Sequence, residues 1–164
     1  MAVKLKVGDL IKIPFKEGWH TYGRVLIDES FAFYDCPSKD ERIDYDNIIK
    51  CDILFTAHVN FSTIKSGYWT KILNIPLEGK LENFYPRYFT PSPTSVENLN
   101  FYEVYKEEIE DAIKKDWIKT GKIQLAGTHD RIHVESRIND YYNGVRNVHN
   151  ERLIALFKKM FGLG

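Results

Sequence analysis

Val7-Gly8-Asp9-Leu10-Ile11-Lys12-Ile13-Pro14-Phe15 and, after Lys16-Glu17-Gly18, Trp19-His20-Thr21-Tyr22-Gly23-Arg24-Val25-Leu26 are two apolar-rich segments joined by a short connection that contains glycine. Such a pair reads as a β-hairpin that opens an antiparallel sheet. Phe31-Ala32-Phe33-Tyr34 and Ile53-Leu54-Phe55-Thr56-Ala57-His58-Val59 are short apolar runs bounded by polar turn-formers. Both are too short for helices and fit half- or wholly buried strands. Gly67 to Ile75 runs into Pro76, whose ring biases Ile75 toward extended geometry, so this stretch reads as a further strand or sheet edge.

The second half changes period. Pro91-Ser92-Pro93 interrupts any helix or central strand and marks an exposed loop, after which Leu99 to Val104 is expected to re-enter the sheet. Ile109, Ala112, Ile113 and Trp117 share one helical face, with Gly121 at the stop. A short strand follows over Lys122 to Leu125. A second helix is expected to start near Thr128 or Asp130, to place Val134, Ile138 and Tyr141 on one face, and to stop at Gly144. Leu153, Leu156, Phe157 and Met160 define a third, stopped by Gly162. The expected fold class is α+β: an N-terminal antiparallel, partly barrel-like β-sheet with about three C-terminal helices packed on it, in one domain over residues 1–164.

Composition narrows the function classes. A chain of 164 residues can bury roughly 70% of its unfolded surface, enough to need neither metal nor disulfide. The 23 Lys+Arg balance the 23 Asp+Glu, so no net field draws the protein to nucleic acid or an anionic membrane. Charged residues interrupt every hydrophobic run before the ~20 apolar residues of a membrane helix accumulate. Met1 to Lys6 alternates apolar and basic residues, unlike a secretory signal. Cys36 and Cys51 lack paired metal-ligand spacing and fit reduced thiols. The expectation is a cytoplasmic protein.

Each candidate for chemistry has a structural alternative that explains it better. His129 and His133 stand four apart, a two-histidine metal spacing if both lie on one helix, with Glu135 or His149 as further donors. Asp130-Arg131 replaces the general-base glutamate that such a motif uses, so a polar helix face is preferred. His58 in an apolar strand reads as a hydrogen-bonded core histidine. Cys36 and Cys51 flank the charged Ser38-Lys39-Asp40-Glu41-Arg42, whose cations read as loop charges and not thiolate activators. The glycines form no phosphate loop. Tyr85, Arg87, Tyr88 and Phe89 interleave aromatics with a base, as RNA binding uses, but a β-edge whose aromatics pack the core explains them better, given the neutral charge and the absence of an RNP-type motif. Arg24 between apolar neighbours calls for a carboxylate, solvent or a partner, the ion pair being the commoner answer, and Arg137 with Asp140 suggests local pairing. No catalytic residue, metal ligand or cofactor is assigned. The alternative function is a small hydrolase or nucleic-acid-binding module using His58 or His129 and His133.

Together with Trp69 and the segment His133 to Gly144, which contains Arg137-Ile138-Asn139-Asp140, the stretch from Gly8-Asp9 to Gly23-Arg24-Val25 resembles the Imm26 family, immunity proteins of bacterial polymorphic toxin systems. The resemblance carries no catalytic motif. It implies a non-enzymatic cytoplasmic antidote that binds a cognate toxin domain and protects the producing cell. Interfaces concentrate energy in aromatic and arginine anchors, so the exposed members of Trp19, Tyr22, Arg24, Tyr34 and Tyr85 are the expected partner-binding residues. Asp35, with Asp40 and Glu41, supplies complementary charge for a basic toxin such as a nuclease. A single melting transition without stoichiometric zinc is expected; two separate transitions, or one zinc per chain by elemental analysis, would contradict this reading.

Overall fold

The computed structural model describes residues 4–84, 86, 88–91, 99–101, 124–125, 128–149, 151, 152, 155 and 159. The opening hairpin is present as β1 (Asp9–Lys16) and β2 (Trp19–Val25), which pair antiparallel with Leu10 opposite Arg24 and Ile13 opposite Thr21. Gly18 takes φ +70° in the tight turn, a conformation glycine adopts without steric cost. β3 (Phe31–Tyr34) and β4 (Ile53–Val59) continue the antiparallel order, and β5 (Thr70–Asn74) flanks β1 on the other side.

The six-stranded sheet has the order β5-β1-β2-β3-β4-β9, where β9 (Thr128–His129) joins β4 in parallel. The fold class is α+β, and the sheet is open: β5 and β9 are its edges and do not pair with each other. A separate three-stranded sheet has β6 (Tyr88–Pro91) between β7 (Leu99–Phe101) and β8 (Gln124–Leu125). Leu99 to Phe101 therefore pairs with β6 and does not re-enter the first sheet. Two one-turn helices, α1 (Tyr45–Ile48) and α2 (Ser62–Lys65), lie before and after β4. The main described helix is α3 (Arg131–Tyr142), beginning after Asp130 and ending before Gly144 at φ +67°. Val148, His149, Glu151, Arg152, Ala155 and Lys159 are also helical. The expected helix through Ile109 and Trp117, and the apolar face of Leu153, Leu156, Phe157 and Met160, lie outside the described residues.

Alternation along the strands separates two buried clusters. Ile11, Ile13, Val25, Phe31, Phe33 and Phe55 face one side; Leu10, Tyr22, Leu26, Ala32 and Tyr34 face the other. All four residues of β3 are buried, so the strand is covered on both faces. On the first face, Phe33 meets Phe55 at 4.8 Å and Trp69 edge-on at 6.0 Å. Gly23 leaves room for this packing, because a Cβ there would stand 2.9 Å from Ile13 Cδ1. α3 lays Val134 and Ile138 onto the same cluster. Trp69 Nε1 donates to Glu135 Oε1 at 2.8 Å, and Arg131 holds the same carboxylate, so the buried indole satisfies its donor on the helix. Ile48 and Leu81 cover the second face.

Gly8 and Asp9 join three strands. Gly8 N donates to Val25 O at 2.9 Å and Gly8 O accepts from Ile75 N at 3.1 Å. At φ +87° a Cβ on residue 8 would stand 2.2 Å from Ile75 O, so only glycine permits this approach. The fully buried Asp9 carboxylate accepts from Lys6 N at 2.8 Å and Asn74 Nδ2 at 2.7 Å, and pairs with Lys71 Nζ at 2.8 Å. Asp9→Ala removes a buried acceptor and strands its donors; with Lys71 partly solvated, a loss of about 3 kcal/mol is expected. Gly8→Ala is expected to cost more than ~1 kcal/mol through strain and collision. Urea unfolding checks both, and unchanged midpoints would contradict the assignment.

Candidate interaction surface

Residues 35–52 leave β3, cross one end of the sheet and return into β4. Six carboxylates in this segment (Asp35, Asp40, Glu41, Asp44, Asp46 and Asp52) outnumber three cations (Lys39, Arg42 and Lys50). Its conformation is built from its own polar groups. An isolated bridge joins Ser38 to His20 through reciprocal backbone bonds of 2.8 and 2.9 Å. Ser38 Oγ accepts from Asp40 N, and Asp40 Oδ1 from Arg42 N, each at 2.9 Å. Asp44 caps α1 by accepting from Asn47 N at 3.2 Å, and the buried Ile48 anchors that turn in the core. Lys12 pairs with Glu41, and the Lys39 ammonium lies 4.9 Å from the Trp19 ring centre. Ile43 and Tyr45 remain exposed, at 37% and 46%.

Asp35 connects this segment to the end of α3. Tyr142 Oη donates to Asp35 Oδ1 at 3.0 Å and Tyr141 Oη to Oδ2 at 3.2 Å. The Tyr142 hydroxyl is held in its protonated form first by burial and then by the adjacent carboxylate. Tyr141 is 54% exposed, which adds a ring to the outer surface beside Asp35.

The expected partner-binding residues separate by burial. Trp19 and Asp35 are partly exposed on this surface. Tyr22, Arg24 and Tyr34 are each 2% exposed, so they are internal and unavailable as anchors on a free surface. Even-numbered residues of β2 and β3 face the second buried cluster, a face α1 covers and whose burial the sequence pattern of the hairpin did not reveal. The Arg24 guanidinium finds carbonyls and not the expected carboxylate: Nη2 donates to Ile75 O at 2.7 Å and Pro76 O at 2.9 Å. Tyr85 lies outside the described residues. Ile43, Tyr45 and Tyr141 were missed as surface residues; for Ile43 and Tyr45 the alternation with Asp44 and Asp46 was the available signal.

Cys36 and Cys51 meet across the ends of β3 and β4, where Asp35 N donates to Asp52 O at 2.8 Å. Burial and then the neighbouring Cys51 push the Cys36 thiol up to about 12, opposite to the shift that activates a nucleophile.

The histidines assemble elsewhere. His129 belongs to β9 and precedes the α3 cap, so it does not share a helical face with His133 as their spacing suggested. His133 and His149 stack with ring centres 4.0 Å apart and planes 8° from parallel, and His129 meets His149 edge-on at 6.5 Å. Stacked rings direct their in-plane lone pairs along parallel planes and not toward one ion. Among the described residues no group of three or more His, Cys, Asp or Glu is placed to hold a metal. Arg137 lies over the Phe55 ring at 3.9 Å beside this cluster, and Asp140 accepts from Asn147 Nδ2 at 2.8 Å. His58 Nε2 lies 3.9 Å from Asp28 Oδ2.

The family model for Immunity protein 26, Imm26, matches residues 6–95, more than half of the chain. The chain belongs to the Imm26 family. The matched region holds β1 to β5, the Gly8-Asp9 junction and the whole acidic segment. No curated protein and no solved structure matches the chain significantly. Among the described residues, no helix of this Imm26 protein is long and apolar enough to cross a membrane.

His129 gives a pH-dependent test of the interior. Burial, then the Arg137 charge, lowers its pKa to about 4 from 6.5. The unfolded chain therefore takes up a proton near pH 6.5 that the folded protein refuses until about pH 4. This contribution to stability is complete above pH 6.5 and is lost as pH falls through that window. The loss is expected to reach about 3 kcal/mol at most, and less with solvent screening of the partly exposed ring. Urea midpoints should fall between pH 7.5 and 5, and His129→Gln should reduce the slope; an unaltered slope would contradict the shift.

Proposed function

We propose that this Imm26 protein is a non-enzymatic, cytoplasmic immunity protein that acts as one domain, binding and neutralising the toxin domain encoded beside it in a polymorphic toxin system. The observation that carries the reading is the 35–52 surface. It is rich in carboxylates, fixed by internal hydrogen bonds, and flanked by Trp19, Tyr45 and Tyr141. A pre-ordered loop loses little conformational entropy on association, and aromatic rings among charges supply the anchors of a specific interface. A standard interface buries ~800 Å² on each partner. Surplus negative charge favours a basic partner, such as a nuclease whose active-site region is cationic, and speeds the encounter.

The competing reading, a small hydrolase or nucleic-acid-binding module, rests on His58 and the cluster of His129, His133 and His149. The two readings diverge in cells expressing the neighbouring toxin. Tyr45→Ala, Trp19→Ala and the double change Asp40→Lys with Glu41→Lys should each weaken toxin binding by more than ~1 kcal/mol, with the charge reversal acting mainly on association rate. His58→Gln, His129→Gln and His133→Gln should still protect. A folded histidine variant that binds toxin normally yet fails to protect would overturn the binding mechanism in favour of an enzymatic one.

A further inference from the structure

Behind the hairpin, on the face opposite Trp69, a cavity of about 350 Å³ opens beside Arg24. Its apolar wall comes from Tyr34, Ile53, Leu77 and Leu81, and its charged rim from Lys50, Glu78 and Lys80. Three cations thus face one carboxylate. Lys80 has only a 3.5 Å contact to Asp52, both side chains being more than four-fifths exposed, so its charge is weakly neutralised.

Arg24 gives this cavity a specific chemistry. Its side chain is 98% buried by the 2% exposure of the residue, and Nη2 is engaged by the Ile75 and Pro76 carbonyls. Nε and Nη1 have no hydrogen-bond partner among the described residues and are screened from bulk water. An ionised donor left unsatisfied in the interior is costly; the carbonyls supply only dipoles, and the Glu78 and Asp9 carboxylates act on Arg24 through space without a hydrogen bond to it. Arg24 lines the cavity while both nitrogens are covered, so an anion reaches them through a side-chain adjustment of the kind that accompanies binding. The volume is within the range of small-molecule sites, where an apolar body is enclosed and one polar group fixes orientation.

We infer that this cavity binds a small organic anion, with its apolar body against Leu77 and Leu81 and its carboxylate or phosphate group on Arg24. Lys50 and Lys80 draw the anion to the mouth. The site shares Ile49, Lys50 and Cys51 with the return of the 35–52 segment into β4, but its test does not use toxin and so stands or falls apart from the toxin-binding reading.

Benzoate, phenyl phosphate and the neutral benzyl alcohol serve as probes of the full chain, followed by amide NMR and calorimetry. At least one anion should bind saturably at one per chain, with shifts concentrated at residues 49–53 and 76–81, and at least tenfold tighter than the alcohol. The stronger anion identifies the head group. Leu77→Trp fills the cavity and should weaken binding at least tenfold. The exposed pair Lys50→Gln and Lys80→Gln should weaken it severalfold and flatten its salt dependence, and it keeps the test valid if Arg24→Met fails to fold. If Arg24→Met folds, its preference for anion over alcohol should vanish. Absence of saturable binding by both anions, equal affinity for the alcohol, or undiminished binding in Leu77→Trp would overturn the inference.

Discussion

The buried Asp9 carboxylate, held against Lys71 and Asn74 beside a residue that must be glycine, is the constraint on which the arrangement of the sheet depends. It draws β5 onto β1 at the place where Gly8 also bonds to the residue after Arg24 and to Ile75. The same contact delivers the Ile75 carbonyl to the Arg24 guanidinium. An anion and a cation, both buried, are thereby placed on adjacent strands without pairing with each other. A substitution at Gly8 or Asp9 would disturb β5, the edge that leads into the wall of the Arg24 cavity.

With that edge secured, the sheet is free to be covered differently on its two faces. Trp69, Phe33 and the Val134–Ile138 stripe of α3 fill one side, while Ile48 and Leu81 close the other with shorter elements. This asymmetry positions the acidic surface. Residues 35–52 span the sheet end as a structured strap, anchored inside by Ile48 and outside by the His20–Ser38 bridge, and Asp35 is gripped by hydroxyls from the far end of α3. Asp35, Asp40, Glu41 and Asp44 are engaged by groups of the protein itself and shape the strap, while Ile43 and Tyr45 stay exposed on its outer side.

Local pattern was legible where one period governed a segment. The hairpin, the β3 and β4 runs and the α3 stripe of Val134 and Ile138 follow from alternation, helical spacing and the stop at Gly144. What the sequence concealed was tertiary. Of the two expected helix starts, Asp130 is the one used, because a two-residue pairing with β4 places Thr128 and His129 in a strand, where a satisfied backbone ladder overrides capping propensity. Tyr22, Arg24 and Tyr34 resemble surface anchors by type, yet α1, a single turn too short to announce itself by periodicity, and the 76–81 segment cover them. The meeting of Cys36 with Cys51, and the exposure of Tyr45 beside six carboxylates, likewise require knowing how the strap returns to β4.

The central claim, that a pre-ordered acidic strap presents the toxin-binding surface of this Imm26 protein, is tested most directly by hydrogen–deuterium exchange of the protein alone and in complex with the neighbouring toxin domain. The account predicts that toxin slows exchange at Trp19 and across residues 36–52, with α3 near His133 little changed. Protection confined to the histidine cluster, or a complex that leaves residues 36–52 exchanging as in the free protein, would contradict it.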